Sequence, residues 1–323
     1  MPDAADGLPL VLLTTPIHPD AVARLEPHAR VLAAPDTGFD TLRALAREAA
    51  GLIVRAQLPD DIIEHAPGLR GIVRHGVGVD FVPIPACTAR GIPVANLPGS
   101  NTRAVSEYVF AALFHLRRRL GAMDRALRET GWLAAKGMAS DLPEIGGGTL
   151  GILGLGEIGR QVARTAHQGF GLRVLGASRT PKRFDGLVEP VTVERLFAES
   201  DAVVIACPLT PETRGLVDAR LIGLMKPDAV LINVARGPIV DAEALADALE
   251  GGRVGGAALD VFAVQPLPAD HRLLACPNLL LTPHVAGTTG TSLRMMGLGA
   301  TEAMLAILRG ERPANVVNPE IYG

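Results

Sequence analysis

Aromatic residues are scarce in this chain: one Trp, two Tyr and eight Phe among 323 residues. Ala, Val, Leu and Gly take their place, and 48% of the chain is hydrophobic. Such a composition suits helices packed on a buried parallel sheet. Cysteine is almost as rare. Cys87, Cys207 and Cys276 stand far apart in no metal-ligand spacing, so no metal site is expected and a reducing compartment is. Neither sign of charge dominates. A formal net charge of −3 gives no reason to expect nucleic-acid binding. No apolar run reaches membrane-spanning length, and Met1, Pro2 and Asp3 do not open a signal peptide. The expected setting is the cytoplasm, away from membranes.

What is present is alternation. Short apolar runs at residues 10–14, 52–54, 71–74 and 92–96, with helical stretches between them, predict a first, smaller α/β unit. A breaker cluster follows: Leu97, Pro98, Gly99, Ser100. Asn101 or Thr102 then caps a long helix to about Arg119. From Thr149 strand and helix alternate, with strands at 150–153, 173–177, 202–206, 229–234, 256–259 and 279–282. A helix at 291–308 closes the chain. The alternation predicts an α/β fold, a doubly wound parallel sheet of the Rossmann kind. The expected boundaries are 1–99 completed by 290–323 for the smaller, substrate domain, and 100–289 for the dinucleotide domain. Ligands are expected in a cleft between them.

The glycine fingerprint Gly154, Leu155, Gly156, Glu157, Ile158, Gly159 follows a strand and opens a helix. Gly154 permits the turn, Gly156 lets backbone approach a pyrophosphate, and Gly159 lets helix and strand pack closely. The helix start offers unpaired N–H groups to the anion. After the second strand of this domain an acidic residue would hold the adenosine ribose; Ser178 stands there, followed by Arg179, Thr180, Lys182 and Arg183. Cations beside hydroxyls suit the 2′-phosphate of NADP(H), with NAD(H) also possible. The plain alternative is a solvated basic loop.

Three later strand ends carry chemistry. Arg236 can hold a carboxylate through two parallel hydrogen bonds, or serve as a structural ion-pair residue. Asp260 suits a nicotinamide carboxamide or a turn cap. His284 suits proton transfer near neutral pH, or a satisfied packing role. His75, His115, His167 and His271 show no metal spacing and are expected to be ordinary residues.

Taken together, these segments resemble the D-2-hydroxyacid dehydrogenase family, which includes phosphoglycerate dehydrogenase and glyoxylate/hydroxypyruvate reductase. The resemblance implies a flavodoxin-like substrate domain, a homodimer and reduction of a small 2-keto acid to the D-2-hydroxy acid. It makes Arg236 the substrate-orienting residue and His284 the proton donor. The loop 76–80, through Val77 and Gly78, would hold the substrate carboxylate, with Arg55 and Asn101 nearby. Cys207, Pro208, Thr213, Val234, Ala235, Asp260 and Gly287 would line the dinucleotide site. Ser178 and Arg179 resemble the NADPH-preferring reductase branch. Arg55 and Arg74 would reach a second anionic group or remain surface charges. One position departs from the pattern. The usual partner of the histidine is a glutamate, and its place falls on Gln265. Formate dehydrogenases, a distant branch, carry a Gln–His pair. Two alternatives therefore stand beside keto-acid reduction: oxidation of a formate-type anion without proton transfer, and a catalytically weak dinucleotide-sensing protein.

Overall fold

Apolar runs bounded by turn residues become strands buried on both faces. The computed structural model describes residues 7–179 and 186–323. Two units are resolved: Met1–Asn101 with Thr288–Gly323, and Thr102–Gly287.

In the first unit the strands are β1 (Leu10–Leu13), β2 (Arg30–Ala33), β3 (Ala49–Val54), β4 (Gly71–Arg74) and β5 (Val94–Ala95). They form one parallel sheet in the order β2-β1-β3-β4-β5, the flavodoxin-like arrangement. Val11, Leu13, Ile53 and Val73 pack on one face with Met304 and Ile307 of the helix Gly290–Leu308. The other face carries Leu12, Leu52, Val54 and Ile72 against Ile62 and Cys87. That helix starts at a capping box, in which Thr289 and Ser292 each accept the other's backbone N–H.

The second unit contains β6 (Thr149–Leu153), β7 (Arg173–Ala177), β8 (Glu189–Pro190), β9 (Ala202–Ile205), β10 (Val230–Asn233), β11 (Gly256–Leu259) and β12 (Leu279–Leu281). Their order is β12-β11-β10-β9-β6-β7-β8, every pair parallel. The doubly wound sheet expected from the alternation is present. Its order reverses between β6 and β9. In open parallel sheets ligands bind at such a reversal, outside the carboxyl ends of the strands.

The helix Thr102–Arg118 buries Val105, Val109, Phe110 and Leu113 in the core of this unit. Arg119 ends it with a left-handed backbone, φ 50°. Two short helices, Leu120–Glu129 and Trp132–Gly137, follow in a stretch assigned no element from sequence. Among the described residues no helix is long and apolar enough to cross a membrane. No group of three or more His, Cys, Asp or Glu among them could hold a metal ion.

Candidate active site

The dinucleotide turn joins β6 to the helix Glu157–Phe170, with Gly156 at its cap position. Gly154 has φ 103°, and a Cβ there would fall on the backbone of Cys207 at the end of β9. Only glycine lets these two strand ends approach so closely. A Cβ on Gly156 would meet nothing within 4 Å, so the turn keeps open space in front of the helix. Glu157 is exposed and pairs with Arg160 at 3.0 Å, Ile158 is half-buried and Gly159 is buried. Backbone donors and open space fit a dinucleotide pyrophosphate. Ser178 and Arg179 are exposed just beyond β7. Thr180, Lys182 and Arg183 lie outside the described residues. Cys207 is buried, which pushes its thiol up to about 11. Pro208 is exposed, and its carbonyl accepts from Thr213 Oγ1 at 2.7 Å, which in turn accepts from Thr210 N–H at 2.7 Å. Thr213 thus fastens the 208–213 turn.

The candidate catalytic side chains sit beyond three neighbouring strand ends. Beyond β10, buried Asn233 folds the loop: its Oδ1 accepts from Ala235 N–H at 3.0 Å and its Nδ2 donates to Arg236 O at 3.0 Å. Val234 and Ala235 are buried in this loop. Arg236 is half-buried, and its Nη1 donates to Ala235 O at 2.7 Å. A Cβ on Gly237 would land on the Phe262 backbone. The arginine loop therefore lies directly on the segment that carries Gln265.

Gln265 Oε1 lies 3.0 Å from His284 Nδ1. The amide cannot turn freely, because its Nε2 donates to Phe262 O at 3.3 Å. With Oε1 as acceptor, Nδ1 must carry the proton. His284 itself has φ 57°, a left-handed conformation that costs a non-glycine residue about 1–3 kcal/mol unless its surroundings impose it. They do. Asp260, 1% exposed, accepts from Thr282 Oγ1 and Val285 N–H at Oδ1, both at 2.7 Å, and from Ala286 N–H at Oδ2, at 2.8 Å. Its carbonyl accepts His284 N–H at 2.8 Å. Thr282 spends its proton on Asp260, so Tyr108 on the long helix donates to Thr282, at 2.6 Å. The turn-cap reading of Asp260 is realised. A carboxylate has four lone-pair positions and these contacts use three; Gly287, next along the chain, is half-buried. Tyr108 carries no sequence motif of its own; Asn233 and Thr282 open the segments that carry Arg236 and His284, but nothing in the sequence assigns them these hydrogen bonds.

The loop 76–80 of the first unit is held by its carbonyls. Gly76 O accepts from Leu97 N–H at 2.9 Å, Val77 O from Asn96 Nδ2 at 2.7 Å and Gly78 O from Arg74 Nε at 2.9 Å. With the carbonyls engaged, the Val77 and Gly78 N–H groups donate to nothing among the described residues. Two such donors suit a carboxylate. Arg74 also donates through Nη1 to Val54 O and His75 O, and stacks 5.0 Å from the Phe81 ring. It builds the loop. Arg55 Nη1 donates to Pro16 O at 2.9 Å, and burial lowers its pKa. Asn101 Oδ1 is buried without a hydrogen-bond partner.

Comparison with known proteins agrees with this fold. The family described as "D-isomer specific 2-hydroxyacid dehydrogenase, NAD binding domain" matches residues 110–286. D-3-phosphoglycerate dehydrogenase of Mycobacterium tuberculosis is 36% identical over 317 residues, 97% of this chain but only 59% of that protein, so the chain spans little more than half its length. Glyoxylate reductase of Aeropyrum pernix is 36% identical over 328 residues, 97% of each chain. Among solved structures, NADPH-dependent glyoxylate/hydroxypyruvate reductase of Sinorhizobium meliloti, in complex with NADP and malonate, superposes with a TM-score of 0.85 at 30% identity, covering 96% of both chains.

Proposed function

The chain belongs to the D-isomer-specific 2-hydroxyacid dehydrogenase family, and from that premise we propose that it reduces a small 2-keto acid to the D-2-hydroxy acid with NADP(H) in preference to NAD(H). The observation that carries the reading is Arg236 on a loop seated against the Gln265 segment, with Gln265 hydrogen-bonded to His284. Arg236 binds the carboxylate and polarises the neighbouring carbonyl. His284, its Nδ1 proton held by Gln265, uses Nε2 to deliver a proton to the developing alkoxide. Val77, Gly78 and Asn101 bind the substrate carboxylate, and Arg55 a more distant group. The dinucleotide, when bound, supplies the hydride; the turn 154–159, Ser178, Arg179 and the loops carrying Ala235, Asp260 and Gly287 would hold it. Similarity to a reductase solved with NADP supports the cofactor choice, as does the lack of an acidic residue at Ser178. A cytoplasmic setting, supported by three free cysteines, and a homodimer complete the proposal.

Gln265 favours one second reading. An amide holds the imidazole without charging it, which suits oxidation of formate or a similar anion, where no proton is relayed. A panel of 2-keto acids assayed with NADPH and NADH, and formate assayed with NADP and NAD, separates the two. Keto-acid reduction, faster with NADPH, is expected. Arg236→Lys keeps the charge but loses the planar fork, so it is expected to lose most turnover with little change in NADPH affinity. Formate oxidation exceeding every keto-acid rate would establish the second reading instead.

A further inference from the structure

In a planar trans peptide the C=O of one residue and the N–H of the next point opposite ways. Whatever holds a carbonyl therefore aims the amide that follows it. In the loop 76–80, Gly76 O accepts from Leu97 N–H at 2.9 Å, which aims Val77 N–H. Val77 O accepts from Asn96 Nδ2 at 2.7 Å, which aims Gly78 N–H. Both donors offered to a carboxylate are thus set by consecutive residues just past β5. Asn96 is half-buried. His75, at the start of the loop, supplies no such anchor. It is 3% exposed, and neither ring nitrogen has a hydrogen-bond partner. Burial first, then the charges of Arg55 and Arg74, take its pKa down to about 4, so the ring is neutral.

Residues 96 and 97 are themselves held from outside. β5 has two residues, Val94 and Ala95, at the edge of the sheet. Its free edge is covered by the strap 315–318. Val317 N–H donates to Val94 O at 2.7 Å and Asn96 N–H to Asn315 O at 3.1 Å, while Ala95 and Val316 form an antiparallel bridge. Asn318, 1% exposed, locks the strap in place. Its Oδ1 accepts from Val94 N–H at 2.9 Å, and its Nδ2 donates to Ile92 O at 3.0 Å and to Thr88 Oγ1 at 3.1 Å. So short a strand has little ladder of its own. The strap fixes β5, β5 carries Asn96, and Asn96 turns the peptide that ends in Gly78 N–H.

We propose that Asn96 is a positioning residue for the substrate carboxylate, and that the strap 315–318, locked by Asn318, acts on substrate binding through it. The proposal rests on the keto-acid reading above and names what sets its carboxylate site. Two N–H groups hold a carboxylate only when both point at its oxygens. Without the Asn96 amide the 77–78 peptide can turn, and its N–H leaves the substrate. The carboxylate keeps its charge throughout hydride transfer, so these donors bind substrate and transition state alike. Their loss falls on KM and not on kcat.

The test uses the keto acid that the parent reduces fastest. Asn96→Leu removes the donor at similar volume. It should raise KM roughly tenfold, leave kcat within about twofold and leave the Kd for NADPH unchanged. Asn96→His carries an Nδ1–H on the same carbon that bears the amide nitrogen, so it should recover part of the lost affinity, which a packing role would not give. Asn318→Ala should raise KM by roughly threefold. In the double variant KM should match that of Asn96→Leu alone, because the strap acts through Asn96. If Asn318→Ala fails to fold, the two Asn96 variants still decide. An unchanged KM in Asn96→Leu, or a loss shared equally by kcat and NADPH affinity, would overturn the proposal. A double-variant KM equal to the product of the two single effects would overturn the part given to the strap. If the parent reduces no keto acid, the functional reading fails separately, and NMR of protein labelled with 15N-glycine tests the loop alone. The Gly78 amide signal should move when oxalate replaces chloride at equal ionic strength in the parent, and not in Asn96→Leu. The same response in both proteins, or none in either, overturns the proposal.

Discussion

Gln265 places an amide where a glutamate would set a negative charge 3.0 Å from His284 Nδ1. Both groups accept the Nδ1 proton and orient the ring. Only the carboxylate also stabilises the imidazolium. Keto-acid reduction needs that imidazolium, because the alkoxide takes its proton from it. A more strongly held proton survives to higher pH, so Gln265→Glu should move the basic limb of the kcat/KM profile upward, on the order of one pH unit. The measurement requires a deuteride isotope effect showing that chemistry limits the rate. An unmoved limb would mean that Gln265 does not act on the ring during turnover. Arg236 and His284 stand out as candidates by residue type and strand-end position, and Gln265 only through the resemblance, which puts the histidine's usual partner at its place; the structure brings Gln265 to His284. Tyr108 was not legible, since its partner Thr282 lies 174 residues away and a lone Tyr in an amphipathic helix reads as core. His75 reads as an ordinary residue in sequence; only its burial without partners singles it out.

At the scale of elements, the left-handed turn at His284 is held by Asp260, and Asp260 by Thr282, which leans on the long helix through Tyr108. Thr282→Val removes one donor from Asp260 and the acceptor of Tyr108. It should cost about 1–3 kcal/mol in chemical denaturation and lower kcat, since a looser turn misplaces the imidazole. Tyr108→Phe removes only the outer bond, about 0.5–1.5 kcal/mol, with a smaller fall in kcat. A Thr282→Val enzyme with unchanged kcat and pH profile would show that the turn holds itself. The long helix and the buried strands were legible because continuous apolar runs and a breaker cluster mark them. β2 was not. It is an edge strand with three of its four residues exposed, and its short run Val31-Leu32-Ala33-Ala34 is too brief to be told from a helix segment by periodicity. β8 has two residues, one of them Pro190, too little for a periodicity.

At the scale of the whole molecule, the helices Leu120–Glu129 and Trp132–Gly137 pose the largest unresolved burial. Neither buries more than Ala135. Trp132 is 70% exposed and Leu133 83%, with Leu120 and Leu127 also exposed. A single exposed leucine needs no explanation, but four large apolar side chains on consecutive short helices exceed what a monomer usually leaves in water. Short helices also gain most of their stability from packing, and here little packing is present within the chain. The homodimer proposed above accounts for both facts if this face meets its counterpart in a second copy, since a two-fold interface joins one patch to the same patch. Sedimentation of the parent should then give a dimer. Leu133→Glu combined with Trp132→Glu should shift it towards monomer and lower the helix content of this segment, because burying two carboxylates in place of apolar side chains costs their hydration. A variant that stays dimeric with unchanged hydrogen exchange across 120–137 would place the contact elsewhere and leave these side chains exposed in the assembled protein.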